Sequence, residues 1–128
     1  MSKSVLLDTD IMIDFLRGYP KAVSFVKSHA NSIYLSSIVV AELYAGVKGE
    51  SELGVLDDFV SFCQVIPVGQ DVARAGGIYK RDYAKSHGVG LADAIIAATA
   101  QIEDIDLKTL NIKHYPMFKK LKALYKKM

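Results

Sequence analysis

Short apolar runs alternate with longer amphipathic stretches along this 128-residue chain, and that alternation is the strongest constraint on its fold. Runs of four to eight apolar residues suit buried strands, whereas apolar residues recurring every three or four positions suit helices. Residues 4–8 read as a short buried strand. A helix over 11–17 follows, capped by Asp10 and ended at Gly18. Pro20 opens a helix over about 20–30, with Ala22, Val23, Phe25 and Val26 facing inward. Ile33–Ser36 is a second strand, and Ser36 or Ser37 caps a strongly apolar helix running to about Val47. Residues 50–62 form an amphipathic helix, 63–68 a third strand and 71–86 a long polar-faced helix. After a glycine break at 88–90, residues 91–102 form an alanine-rich helix. Residues 107–110 make a fourth strand, and the lysine-rich end is expected to supply a fifth. Strands alternating with helices define an α/β protein, with a mostly parallel sheet of about five strands, helices on both faces and right-handed crossovers. The length, and the absence of a repeat or linker in the sequence, point to one domain over 1–128.

Composition removes several classes. The lone Cys63 excludes an internal disulfide and a cysteine-based zinc cage. Asp8, Asp10 and Asp14 fall where a secretory signal needs an apolar stretch. No apolar run approaches the roughly 18 residues of a membrane span. A soluble, cytoplasmic protein with no membrane association is expected. The formal charge of +2 hides an asymmetry. From Leu107 onward there are seven lysines and no acid, while the first 106 residues carry nine basic and fourteen acidic groups, a formal −5. A basic end on an acidic body is either a solvated terminus or part of an electrostatic footprint for nucleic acid.

Three acids stand in apolar company. Asp8 ends the run Val5-Leu6-Leu7, Glu42 sits in SIVVAELYAG (37–46), and Asp93 sits in VGLADAIIAATA (89–100). A helix apolar nearly all round is usually buried, and a buried carboxylate without a partner costs several kcal/mol or neutralises. Taken singly, Asp8 fits an Asx-type turn. Asp93 equally fits a helix-start acid, worth roughly 0.3–1 kcal/mol against the helix dipole. Glu42 lies past the capping positions of its helix, and Lys48 is out of i,i+4 register with it; a narrow polar strip to solvent is its plainest alternative. Taken together, all three can reach the carboxyl edge of a parallel sheet, where ligands of open α/β sheets sit. Three carboxylates converging there need a neutralising cation, and all-oxygen ligands suit Mg²⁺ or Mn²⁺.

Four segments then resemble, in order, the motifs of the PIN-domain ribonucleases, in particular the VapC-type toxins of toxin–antitoxin pairs. They are LLDTDIMIDFLRG, LSSIVVAELYAGV, GLADAIIAATA and LKTLNIKHYPMF. The resemblance covers essentially the whole chain and implies a PIN-like three-layer α/β/α sandwich. It places Asp8, Glu42 and Asp93 at the acidic positions that hold the divalent metal. Asn111 falls where many members carry a fourth acid, which weakens the case for a second metal. His114 falls near the site, and Thr109 adds a hydroxyl there. The implied activity is metal-dependent endoribonuclease cleavage, with a small VapB-like antitoxin as partner and a homodimer as the usual assembly. Phe15, Leu16, Tyr44 and Val47 offer more apolar surface than one small core uses.

The chemistry agrees with its substrate. A carboxylate-held cation can polarise a phosphodiester and lower the pKa of water. Arg17 and Lys113 are the best-placed residues to steer RNA, followed by Lys80 and Arg81. Two other readings compete. VLLDTDI also fits the strand-plus-DxD opening of haloacid-dehalogenase-type phosphatases, with Asp8 as nucleophile and Asp10 as acid/base. A non-catalytic PIN-fold binding module would use the same acids structurally.

Overall fold

The computed structural model describes residues 4–127. Four strands, β1 (Val5–Leu7), β2 (Ile33–Ser36), β3 (Gln64–Ile66) and β4 (Asp106–Lys108), form one sheet in the order β3-β2-β1-β4, and every pair is parallel. Helices α1 (Thr9–Leu16) and α2 (Pro20–Ser28) join β1 to β2, α3 (Ser37–Ala45) and α4 (Gly49–Phe62) join β2 to β3, and α5 (Gln70–His87) and α6 (Leu91–Glu103) join β3 to β4. Two crossovers step one way along the sheet and the third returns past β2 and β1. Right-handed connections therefore put α1–α4 on one face and α5–α6 on the other. A 3₁₀ turn, Ile112–His114, follows β4, and residues 117–127 form turns and coil.

The core follows from the apolar periods. Leu6, Leu7, Ile11, Met12, Leu35, Val39 and Ile96 are fully enclosed. Helix α6 is the most deeply buried, with Ala94, Ala97, Ala98 and Ala100 allowing close approach. Gly76 of α5 packs against it so tightly that a Cβ would lie 3.1 Å from Ile95 Cα. No helix among the described residues is long and apolar enough to cross a membrane.

Three expectations need correction. The fifth strand is not formed among the described residues. The chain after β4 turns at Ile112–His114 and meets Pro116, which cannot donate to a ladder. The cap of α1 is Asp8 rather than Asp10. Asp8 has extended backbone (φ −75°, ψ 161°), its Oδ1 accepts from Thr9 N at 2.8 Å, and the helix begins two residues earlier than its apolar pattern suggests. Helix α3 is not enclosed all round: Val39 and Leu43 are buried, but Ala41, Glu42 and Ala45 face out.

Candidate active site

The strand order reverses between β1 and β4, and the crevice beyond their carboxyl ends is where such sheets bind ligands. Asp8 leaves β1 there and Thr109 leaves β4 there, stitched by Asp8 N–H donating to Lys108 O at 3.0 Å. Both side chains are buried, with Asp8 4% exposed and Thr109 fully enclosed. The Thr109 hydroxyl donates to Asp8 Oδ2 at 2.7 Å and lies 3.3 Å from Asp10 Oδ2. Asp10 in turn accepts from Ile11 N at 2.7 Å and Leu110 N at 2.9 Å, tying the first turn of α1 to the end of β4.

Tyr115 completes the centre. Its ring is fully buried, and its hydroxyl donates to Asp8 Oδ2 at 2.8 Å while lying 3.4 Å from Asp93 Oδ1. Asp93, in the first turn of α6, turns its other oxygen to His114 Nδ1 at 3.2 Å. Thus Asp8 and Asp93, 85 residues apart in the chain, share one phenolic hydroxyl. Glu42 stands farther out. It is exposed, and its Oε1 accepts from Thr9 Oγ1 at 2.7 Å.

The electrostatics record this crowding. Burial, then the charge of Asp8, push Asp10 up from 3.8 to about 6, against the pull of its two backbone N–H donors and Thr109. Asp93 is also raised, by burial first and then by Asp8, with His114 opposing and Glu42 adding. Tyr115 is raised far beyond its ordinary range by burial and by Asp8 and Asp93, so it remains a protonated donor.

The remaining expected residues sit around this edge. Asn111 is exposed, and its backbone N–H donates to Thr109 Oγ1 at 3.0 Å; its side chain adds no charge. Lys113 is exposed in the 3₁₀ turn beside His114. Arg17 caps the far end of α1 and, with Glu42, lines a groove of about 520 Å³ between α1, α3 and α4. Lys80 is committed to Val89 O at 3.0 Å, and Arg81 pairs with Asp82.

The donor set suits a hard divalent cation. The candidate ligands are oxygens, and among the described residues the clustered carboxylates have only His114 paired against them. In the described arrangement the acids have not closed on a common point. Asp93 faces His114, Glu42 faces Thr9, and among the described residues no three His, Cys, Asp or Glu side chains are grouped to hold an ion. Asp8 and Asp93, which meet at the Tyr115 hydroxyl, are the pair that could hold one; Glu42, bonded to Thr9, stands farther out.

The comparisons with known proteins decide the family. The PIN-domain family profile matches residues 5–117. The chain belongs to the PIN-domain family. Ribonuclease VapC19 of Mycobacterium tuberculosis is 44% identical over 124 residues, covering 94% of this chain and 98% of that protein. Ribonuclease VapC10 of the same organism is 37% identical over 121 residues, covering 92% and 90%. Among solved structures, a toxin–antitoxin complex from Klebsiella pneumoniae superposes with a TM-score of 0.82 at 27% identity, covering 95% of this chain and 98% of that one. As a PIN-domain chain of the VapC type, it leaves no ground for the phosphatase reading of Asp8 and Asp10. Asp8 is fixed in place by the hydrogen bonds it accepts, at Oδ1 from Thr9 N and at Oδ2 from Thr109 and Tyr115.

Sequence reasoning missed Tyr115 and, outside the phosphatase reading, gave Asp10 a capping role. The available signal was weak: a tyrosine beside Pro116 in a lysine-rich stretch, and an acid two residues past Asp8.

Proposed function

We propose that this chain is a Mg²⁺- or Mn²⁺-dependent endoribonuclease acting as the toxin of a toxin–antitoxin pair. The observation that carries the reading is the shared Tyr115 hydroxyl, which draws Asp8 and Asp93 together at the switch point of the sheet. A bound divalent cation would polarise a phosphoryl oxygen, lower the pKa of a water and offset developing charge. Asp8 and Asp93 would hold it, with Glu42 completing the set or orienting the attacking water. The chain's own residues do the positioning. Thr109 and Tyr115 fix Asp8 Oδ2, Thr9 N fixes Oδ1, and Asp10 locks α1 to the turn after β4. His114 orients Asp93 and offsets part of its charge. Lys113, beside His114, and Arg17, in the groove that Glu42 also lines, can meet RNA phosphates.

The antitoxin reading draws on the groove between α1, α3 and α4. Ile13, Leu16, Leu43, Val47 and Leu56 line it, and Glu42 and Arg17 contribute polar groups. Ile13 and Leu16 are each 37% exposed and Val55 57% exposed, which is apolar surface suited to an amphipathic segment of a VapB-like partner. A homodimer and action on RNA in the cytoplasm complete the proposal.

Asp8→Asn tests it. Purified wild-type protein with Mg²⁺ or Mn²⁺ is expected to cleave RNA, to stop in EDTA, and to lose at least about a hundredfold in rate on substitution. A folded Asp8→Asn variant with wild-type cleavage would remove Asp8 from the chemistry.

A further inference from the structure

One buried carboxylate takes no part in the chemistry above. Asp14 of α1 is 4% exposed and accepts hydrogen bonds from the Tyr125 hydroxyl at 2.7 Å and from Lys127 Nζ. The Tyr125 ring stacks on Tyr19 at 5.4 Å, and Lys21 Nζ donates to Lys126 O at 3.2 Å. Leu124 N–H donates to Thr109 O at 3.0 Å. A lysine-rich segment of turns and coil is therefore pinned to α1, to the start of α2 and to the end of β4. A segment of turns and coil has no helix or sheet ladder to hold it, and Asp14 supplies the buried acceptor that ties this one.

Upstream of that anchor the segment walls a groove of about 770 Å³ against β4, an edge strand of the sheet. Lys108, Lys119, Lys120 and Lys122 line it against Asp104 and Asp106, and Phe118 adds an aromatic ring. Strand β4 connects this groove to the catalytic edge. From Asp106 at its start to Thr109 beside Asp8 is about 10 Å of extended chain. Without a cation the centre is acidic and repels phosphate, so basic groups outside it have to contribute to substrate affinity. A lysine-lined groove with an aromatic side chain, separated from the site by the length of β4 and reaching Lys108 next to Thr109, has the composition of a single-strand binding channel.

We propose that the groove between β4 and residues 117–122 is the track that holds single-stranded RNA next to the catalytic edge, and that Asp14 is the positioning residue that keeps its outer wall in place. The proposal rests on the ribonuclease reading and names where its substrate is gripped.

The test measures binding of a labelled single-stranded RNA of random sequence, with divalent ions chelated, across a KCl series. Wild type is compared with the triple variant Lys119→Glu/Lys120→Glu/Lys122→Glu and with Asp14→Asn. Three lost phosphate contacts should reduce the slope of log K against log salt by about 2 and weaken low-salt binding about tenfold or more, with the melting temperature of the lysine variant unchanged. Asp14→Asn, which keeps every lysine, should reduce the slope by part of that amount. If it melts below the assay temperature, Tyr125→Phe carries the same arm. An unchanged slope in the lysine variant, alongside wild-type protein that cleaves RNA, overturns the track and leaves the ribonuclease reading standing. A changed oligomeric mass with an unchanged slope assigns the groove to a second copy and likewise overturns it. A wild-type slope in the Asp14 arm overturns the positioning role. Wild-type protein that neither binds nor cleaves RNA overturns both readings.

Discussion

Replacing Tyr115 with phenylalanine removes one oxygen from the middle of the acidic centre and leaves the ring in place. The ring is fully buried and stacks on Phe118 at 6.5 Å, so packing is preserved. The lost group donates to Asp8 Oδ2 at 2.8 Å and stands 3.4 Å from Asp93 Oδ1. A hydrogen bond to a charged acceptor contributes about 1.5–3 kcal/mol. Asp8 Oδ2 keeps the Thr109 hydroxyl at 2.7 Å, so the acceptor is not orphaned and the middle of that range applies. A loss of about 2 kcal/mol is expected in EDTA, seen in urea as a lower midpoint with an unchanged m-value. Thermally this is a drop of roughly 6–10 °C for a chain of this size. Millimolar Mg²⁺ should recover part of the loss, because a cation facing the same carboxylates stabilises only the folded state. A Tyr115→Phe protein within about 0.5 kcal/mol of wild type in EDTA would show that the hydroxyl does not hold Asp8, and the bridge to Asp93 would fall with it.

Other expectations concern titration and packing. Asp10, pushed up to about 6 by burial and by Asp8, holds its proton more tightly folded than unfolded. Its contribution to stability is therefore complete below the ordinary 3.8 and is lost as pH rises through about 6. In metal-free protein its carboxyl carbon should titrate near pH 6 by NMR, and saturating Mg²⁺ should lower that midpoint; a metal-free midpoint at the ordinary value would contradict the crowding described. Gly76→Ala should cost about 1–3 kcal/mol by overpacking, since its Cβ would lie 3.0 Å from Ile95 Cγ1. Gly77→Ala, with nothing within 4 Å, should be neutral or stabilise by roughly 0.5–1 kcal/mol. Equal melting temperatures for the two variants would deny the close α5–α6 approach.

What could be read in advance was what local periodicity encodes. Ile33–Ser36 stands as a strand because four residues bounded by polar ones admit little else, and α6 is buried because its alanines offer no polar face. The convergence of Asp8 and Asp93 followed from topology alone, since a parallel sheet brings strand ends and helix starts to one edge. Pairings across long separations were not legible. Tyr115 meets Asp8 from 107 residues away, and nothing near it in the chain marks it as different from a core aromatic. Asp14 has no partner legible within α1, because Tyr125 and Lys127 lie more than a hundred residues on. Glu42 was expected in a buried helix. The structure shows instead that α3, apolar in sequence, buries Val39 and Leu43 and leaves Ala41, Glu42 and Ala45 exposed.

The central claim is that the Asp8–Asp93 pair forms a divalent-cation site. Calorimetric titration of Mn²⁺ into wild type, Asp8→Asn and Asp93→Asn, at pH 7.5 and again below pH 6, tests it most directly. A carboxylate site predicts saturable binding to wild type that weakens at the lower pH, as protons compete for the raised carboxylates, and that is lost in both variants while their folds persist. Wild-type protein that binds no Mn²⁺, or variants that bind it as wild type does, would contradict the claim.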